Sequence, residues 1–201
     1  MIAATLRVIK LGGSLLDFPD FVEHWTRWLA EQPPAVNVLV VGGGRLVDTI
    51  RDLDQSHSFG DEAAHWLGVK AMGFTAANVA AILPETRLVT RLGEIDRTVG
   101  GTSVLDVWHF LFEEDRFAPD PLPCSWKVTS DSIAARVATR LAACELVLLK
   151  SADPPPHGSL RELASARFVD DYFPLAVSEG LRVRSVNMRS EKLTETVLQE
   201  S

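Results

Sequence analysis

Three short stretches of this 201-residue chain bring a run of apolar, mostly β-branched residues to a stop on glycine or lysine. They are VIKLGGSLL from Val8, VVGGGRLVD from Val40 and LVLLKSADP from Leu146. Glycine lets the backbone come close to a ligand and aim its N–H groups at it, and a helix starting there adds about half a positive charge. The chemistry this suggests is anion binding, phosphate above all. Lys10 strengthens the case, because the chain has only five lysines against fifteen arginines. A lysine closing a buried strand costs desolvation unless an anion pairs with it, and a compact ammonium suits a phosphate. A tight strand-to-helix turn would use Gly12 and Gly13 equally well, so Lys10 is what separates the two readings. Neither the G-x-x-x-x-G-K-[ST] loop nor the G-x-G-x-x-G dinucleotide fingerprint is present.

A fourth stretch, WKVTSDSIA from Trp126, places Thr129, Ser130 and Asp131 at the mouth of a helix. Serine or aspartate there can serve simply as an N-cap. An aspartate facing Lys10 would do more. It would hold the lysine between transferred oxygens and stay ionised, since a neighbouring cation lowers its pKa. His65, Met72 and Asn78 follow one another on one helix and either border a pocket or belong to the helix face and core. Trp126 either closes over a ligand or fills the core. Cys124 and Cys144 are expected as buried free thiols; with five scattered histidines they give no metal-ligand spacing, so no metal held by side chains is expected.

The elements that must position these residues follow from periodicity. LRVIKL (6–11), VNVLVV (36–41) and ELVLLKS (145–151) have the composition of buried parallel strands, and RLVTRL (87–92) and LRVRSVN (181–187) are further strand candidates. Helices are expected over 21–32, 45–55, 61–83 with a break near Gly73, 104–115, and 130–145 with its stripe of Ile133, Val137 and Leu141. A helix around 173–180 and a short one after Met188 complete the pattern. SADPPPHGS (151–159) and FAPDPLP (117–123) are expected as loops. Strands alternating with helices predict an α/β fold with a mainly parallel sheet covered on both faces. In such a sheet ligands bind beyond the carboxyl ends of the strands, where all three glycine or lysine stretches fall.

Composition narrows the partners. A net charge of −7 opposes a broad nucleic-acid surface, which needs clustered Lys and Arg. No apolar run approaches the roughly 18 residues that span a bilayer, and the N-terminus lacks a secretory pattern, so a cytoplasmic protein without membrane attachment is expected.

VIKLGGSLL, then VVGGGRLVD, then TSDSIAARVA before ELVLLKSAD, in that order over the first 153 residues, resemble the amino acid kinase family. The resemblance implies a three-layer αβα sandwich forming one domain over 1–201, with an acceptor and phosphate half over about 1–125 and a shortened nucleotide half over about 126–201. It implies ATP with Mg²⁺, transfer of the γ-phosphoryl group to a small phosphorylated or carboxylated acceptor, and a homo-oligomer. Residue by residue, Lys10 and Asp131 would be catalytic. Gly12, Gly13, Ser14, Ser130, Lys150 and Asp153 would meet the ATP phosphates, and Gly42, Gly43, Gly44, His65 and Asn78 the acceptor. Most members carry a second catalytic lysine, for which Lys150 is the candidate here; Lys192 is expected as a surface charge. Short members with a W-x-V-T-S-D-S-I-A stretch act in methanofuran biosynthesis, which implies a phosphate-monoester acceptor such as aminomethylfuran methyl phosphate. The alternatives are a nucleoside monophosphate or carboxylate acceptor, or a ligand-sensing homologue without catalysis.

Overall fold

The computed structural model describes residues 5–98, 100–156 and 158–200. Seven strands form one sheet in the order β3-β4-β2-β1-β5-β6-β7. They are β1 (Leu6–Leu11), β2 (Val36–Val41), β3 (Thr86–Val89), β4 (Gly101–Leu105), β5 (Glu145–Lys150), β6 (Arg182–Asn187) and β7 (Glu195–Gln199). All neighbours pair parallel except β6 and β7, which are antiparallel. The strand order changes direction at β1: β2 lies on one side of it and β5 on the other. A crevice opens at such a reversal in a doubly wound sheet.

The principal helices are α1 (Phe21–Ala30), α2 (Gly44–His57), α3 (Asp61–Ile82), α4 (Val107–His109), α5 (Ser130–Leu141), α6 (Leu160–Ser165) and α7 (Phe173–Ala176). Successive strand side chains point to opposite faces, and the core divides accordingly. Val8, Val38, Val40, Leu146 and Leu148 pack with Ile133 and Val137 of α5. Ile9, Leu11, Leu39, Val147 and Leu149 pack with Phe21, Trp25 and Trp28 of α1. α3 serves both sides, Val69 and Met72 joining the first cluster and Ala76, Val79 and Leu83 the second.

Several elements differ from expectation. Val104 and Leu105, expected as the start of a helix, end β4; the helix begins after Asp106, whose carboxylate accepts the Trp108 N–H at 2.9 Å. α3 runs through Gly73 without a break, and the missing Cβ there leaves room for the Asp106 carboxylate. After Met188 the chain turns and returns as β7 where a helix was expected, and the helix expected over 173–180 is only α7. His157 of the 151–159 loop lies outside the described residues; α6 follows, with the Ser159 hydroxyl capping the Glu162 N–H. Cys144 is exposed rather than buried, its Sγ–H donating to the Leu6 carbonyl at 3.2 Å.

At the amino end of the sheet a buried ion cluster ties β1, β5 and β6 together. Glu145 accepts from Arg7 (2.8 Å), Arg184 (2.9 Å) and Arg182 (3.1 Å), and Arg184 also meets Glu195 at 2.6 Å. Burial alone would push the Glu145 carboxyl up, but the Arg184 and Arg7 guanidinium groups hold it below the usual range.

At the carboxyl end the glycine turns after β1 and β2 interlock. The Gly12 N–H donates to the Leu149 carbonyl at 2.9 Å and the Gly42 N–H to the Leu11 carbonyl at 2.8 Å. A Cβ on Gly13 would lie 2.3 Å from the Gly44 nitrogen, and Gly44 itself sits at φ +54°. Only glycine accommodates both demands. Gly13→Ala is therefore expected to lower the unfolding free energy by about 1–3 kcal/mol in a urea titration, as overpacking does. Gly93→Ala, where an added methyl meets nothing within 4 Å, should stay within about 0.5 kcal/mol of the parent. Equal stability of the two variants would mean that the turns do not interlock.

Candidate active site

Lys10 and Lys150 close adjacent parallel strands. Lys10 pairs in register with Leu148, and Lys150, two residues on, projects to the same face, towards α5. Between them lies Asp131 in the first turn of α5. The Lys10 ammonium is 2.9 Å from Asp131 Oδ1, and the Lys150 ammonium donates to both carboxylate oxygens at 2.9 Å. Lys10 and Asp131 are about 5% exposed. Burial pushes the Asp131 carboxyl up, yet Lys10 and Lys150 outweigh it and hold its pKa at about 2. Burial pushes the Lys150 ammonium down to about 8, against the pull of Asp131 and with the help of Lys10. Two ammonium groups thus share one carboxylate directly.

The start of α5 is held by a residue from elsewhere in the chain. One oxygen of Asp170 accepts from the N–H groups of Thr129 (2.9 Å) and Ser132 (3.0 Å) and from the Thr129 hydroxyl (2.8 Å). Its other oxygen accepts from the Ser132 hydroxyl. The capping expected of Ser130 or Asp131 is thus supplied by Asp170, and Asp131 is free to face the lysines. The same chain segment reaches Lys150, whose ammonium donates to the Phe168 carbonyl at 2.8 Å and sits 5.2 Å from the Phe168 ring centroid.

A cavity of about 220 Å³ opens beside this group. Gly13, Ser14, Gly42, Gly43, Gly44, Thr129 and Ser130 line one side, and Val47, His65, Val69, Met72 and Trp126 line the other. The Trp126 indole N–H donates to Asp54 at 2.8 Å, and the Arg51 guanidinium lies 4.8 Å over its ring. Both residues belong to α2, which fixes the indole wall, and Arg51 itself lines the cavity. Burial lowers the His65 pKa while a backbone hydrogen bond with Ser125 opposes it, and the imidazole is neutral near pH 7.

Of the expected site residues, Lys10, Asp131 and Lys150 meet directly, and Gly13, Ser14, Gly42, Gly43, Gly44, Ser130 and His65 border the cavity. Gly12 packs against the Leu149 carbonyl, and a Cβ on it would be 3.9 Å from the Lys10 ammonium. Asn78 does not join them. It is exposed on α3, its amide donating to the Phe74 carbonyl one turn back at 3.0 Å. Asp153 is exposed beyond β5, accepting from Asn187 at 3.1 Å, and Lys192 is a surface residue. Two residues escaped the sequence reading. Asp170 carries no local signal, lying 38 residues from Ser132. Arg189, just beyond β6, donates to the Ser14 carbonyl at 3.0 Å, and Ser14 in turn donates from its hydroxyl to Ser151 at 3.1 Å.

Among the described residues no group of three His, Cys, Asp or Glu side chains could hold a metal ion, and Asp131 is occupied by two ammonium groups. The cationic, glycine-lined crevice does fit a polyphosphate.

No protein-family model matches the sequence. Over 185 residues the chain is 22% identical to the [5-(aminomethyl)furan-3-yl]methyl phosphate kinase of Methanocaldococcus jannaschii, covering 87% of this chain and 83% of that protein. Its fold is similar to that of uridylate kinase from Archaeoglobus fulgidus, with a TM-score of 0.61, 15% identity and 88% of each chain covered. UMP kinase from Ureaplasma parvum gives a TM-score of 0.60 at 13% identity, with 96% of this chain and 98% of that one covered. Both comparisons point the same way: the chain has the amino acid kinase-like α/β fold of these solved kinases and is similar in sequence to a small-molecule phosphate kinase.

Proposed function

We propose that the chain is an ATP-dependent kinase that transfers the γ-phosphoryl group to the phosphate of a small, ring-bearing phosphate monoester, the chemical class named by its curated relative. The observation that carries this reading is the Lys10–Asp131–Lys150 group beside a glycine-lined cavity. Phosphoryl transfer asks the protein for positioning and for charge stabilisation along an in-line path. Lys10 and Lys150 supply two cations at fixed separation, and Asp131 keeps them apart and aimed. Lys150 thereby takes the part of the family's second catalytic lysine, which favours catalysis over a ligand-sensing homologue.

An acceptor phosphate is already an anion, so no general base is needed. This accords with a cavity whose histidine is neutral and engaged with the backbone. Backbone N–H groups at Gly43 and Gly44 would orient the acceptor phosphate, while Val47, Met72 and Trp126 would enclose its ring. A cavity of about 220 Å³ is smaller than the roughly 300–1,000 Å³ of common ligand pockets, which favours a small acceptor over a nucleoside monophosphate. ATP would lie over Gly12, Gly13 and Ser14 towards Ser151, Asp153 and Arg189. Bound magnesium would add neutralising charge to the phosphates; the described side chains offer it no carboxylate set, and the roles assigned to the lysines do not pass through it.

No helix among the described residues is long and apolar enough to cross a membrane. Association of copies, which the family resemblance implies, is supported by exposed Leu67, Phe74 and Ile82 along α3, the largest of them 63% exposed. Sedimentation equilibrium should show a dimer or larger species; a monomer at 50–100 times the working concentration would rule it out.

Mg-ATP at about 100 times its dissociation constant is expected to stabilise the protein by roughly 2.7 kcal/mol, read as a rise in melting temperature. Lys10→Ala should reduce that rise, and either Lys10→Ala or Lys150→Ala should lower kcat by about 10²–10³-fold, the scale of losing one preorganised donor. An unchanged ATP response in Lys10→Ala would place the phosphates elsewhere and sink the reading. A pH profile tests Lys150 separately. Its pKa of about 8 lies below the ordinary value, so the ammonium is present below pH 8 and lost above it. The ratio kcat/KM, which reports the free enzyme, should be level near pH 7 and fall above pH 8. A level profile up to pH 9.5 would show that the Lys150 charge is not required.

A further inference from the structure

Asp131 and Lys150 belong to different elements, α5 and β5, and their relative position is not set by the strand register alone. A single turn bridges them. Asp170 binds the first residues of α5 through four hydrogen bonds, two from N–H groups and two from hydroxyls. It also accepts from its own chain at Tyr172 (3.2 Å) and Phe173 (2.9 Å), so the carboxylate is locked from both sides. Two residues earlier, the Phe168 carbonyl receives the Lys150 ammonium. The Tyr172 N–H is shared with the Lys127 carbonyl at 3.2 Å, which fastens the turn to the strand of chain leading into α5. A half-buried carboxylate with this many donors and no catalytic contact of its own is far more elaborate than an ordinary helix cap, where one side-chain acceptor suffices.

We infer that Asp170 is a positioning residue for phosphoryl transfer: the Phe168–Asp170 turn clamps α5 and the Lys150 ammonium together, so that Asp131 meets both lysines at one geometry. This rests on the proposed kinase reading for its catalytic consequence, but the clamp itself is a property of the resting protein. The charged groups facing Lys150 are Lys10 from β1, Asp131 from α5 and Asp170 from the turn, and the Asp170 charge favours the protonated form of Lys150. Removing that charge while keeping the shape should therefore loosen the lysine and ease its deprotonation.

The test uses the full chain carrying ¹³C-labelled lysine. With five lysines in the sequence, the Lys150 side-chain resonance can be assigned from Lys150→Arg and followed against pH. In Asp170→Asn the Lys150 titration midpoint is expected to move to lower pH by at least half a unit, kcat to fall at least tenfold, and the falling limb of the pH profile to move with the midpoint. A lower melting temperature with an unmoved Lys150 midpoint and unchanged kcat would reduce Asp170 to a structural cap and overturn the inference. Should Asp170→Asn fail to fold, Ser132→Ala removes one clamp bond and leaves every charge in place. It is expected to lower kcat two- to tenfold without moving the Lys150 midpoint, and an unaltered kcat would count against the clamp. If the wild type shows no phosphoryl transfer, the kinase reading fails, while the NMR midpoint in Asp170→Asn still decides whether the turn governs Lys150.

Discussion

One buried carboxylate between a buried and a half-buried ammonium group governs much of this structure. Asp131 cannot be withdrawn from water alone, and neither can Lys10 or Lys150; each is tolerable because of the others. Lys10 and Lys150 share Asp131 directly, with the Asp170 carboxylate behind Lys150, at a point where glycine turns and a cavity adjoin the cluster. The proposed function would bring phosphate groups to this point.

The rest of the architecture can be understood as what that cluster requires. Lys10 and Lys150 reach the same face because both have even parity in strands that pair in register, and β1 and β5 are neighbours because the strand order reverses at β1. Asp131 is presented by the first turn of α5, which packs against those strands through Ile133 and Val137. The turns after β1 and β2 must be glycine because each occupies space a side chain would need. The amino end of the sheet shows the opposite policy. There Arg7, Arg184 and Arg182 meet Glu145, Glu195 and Glu200, three cations against three carboxylates within the protein. The amino end is closed by these pairs, whereas the carboxyl end adjoins the glycine-lined cavity.

How much of this was legible in the sequence depended on the range of the interaction. β1, β2 and β5 announce themselves as apolar β-branched runs, because strands buried on both faces leave an uninterrupted pattern. Lys10 stood out because a lysine interrupts such a run, and Asp131 because it begins a helix next to a serine on either side. The boundary at Leu105 was missed for a local reason: strand β4 passes through Asp106 straight into helical turns, so an apolar run spans both. β7 was missed because a short edge strand with only Val197 and Leu198 as bulky apolar residues carries little periodic signal. Asn78 was placed at the acceptor because it shares a helix with His65 and Met72, but six residues along a helix is about 600°, which turns Asn78 well away from the Met72 face.

Asp170 illustrates the deeper limit. Its role depends on being brought 38 to 41 positions along the chain to the start of α5, and nothing in VDDYF distinguishes it from a loop aspartate. Conversely, the serines and threonine at the mouth of α5 look like self-sufficient caps, yet the Thr129 and Ser132 hydroxyls act as donors to that remote carboxylate. Moving the capping acceptor to another segment has a consequence that a local cap could not have. It relieves Asp131 of any duty to its own helix, and a carboxylate at a helix start that need not cap is free to turn its oxygens on two lysines. The separation of the two tasks, one aspartate to hold the helix and another to hold the cations, is what lets the first turn of α5 be both a structural terminus and the centre of the site.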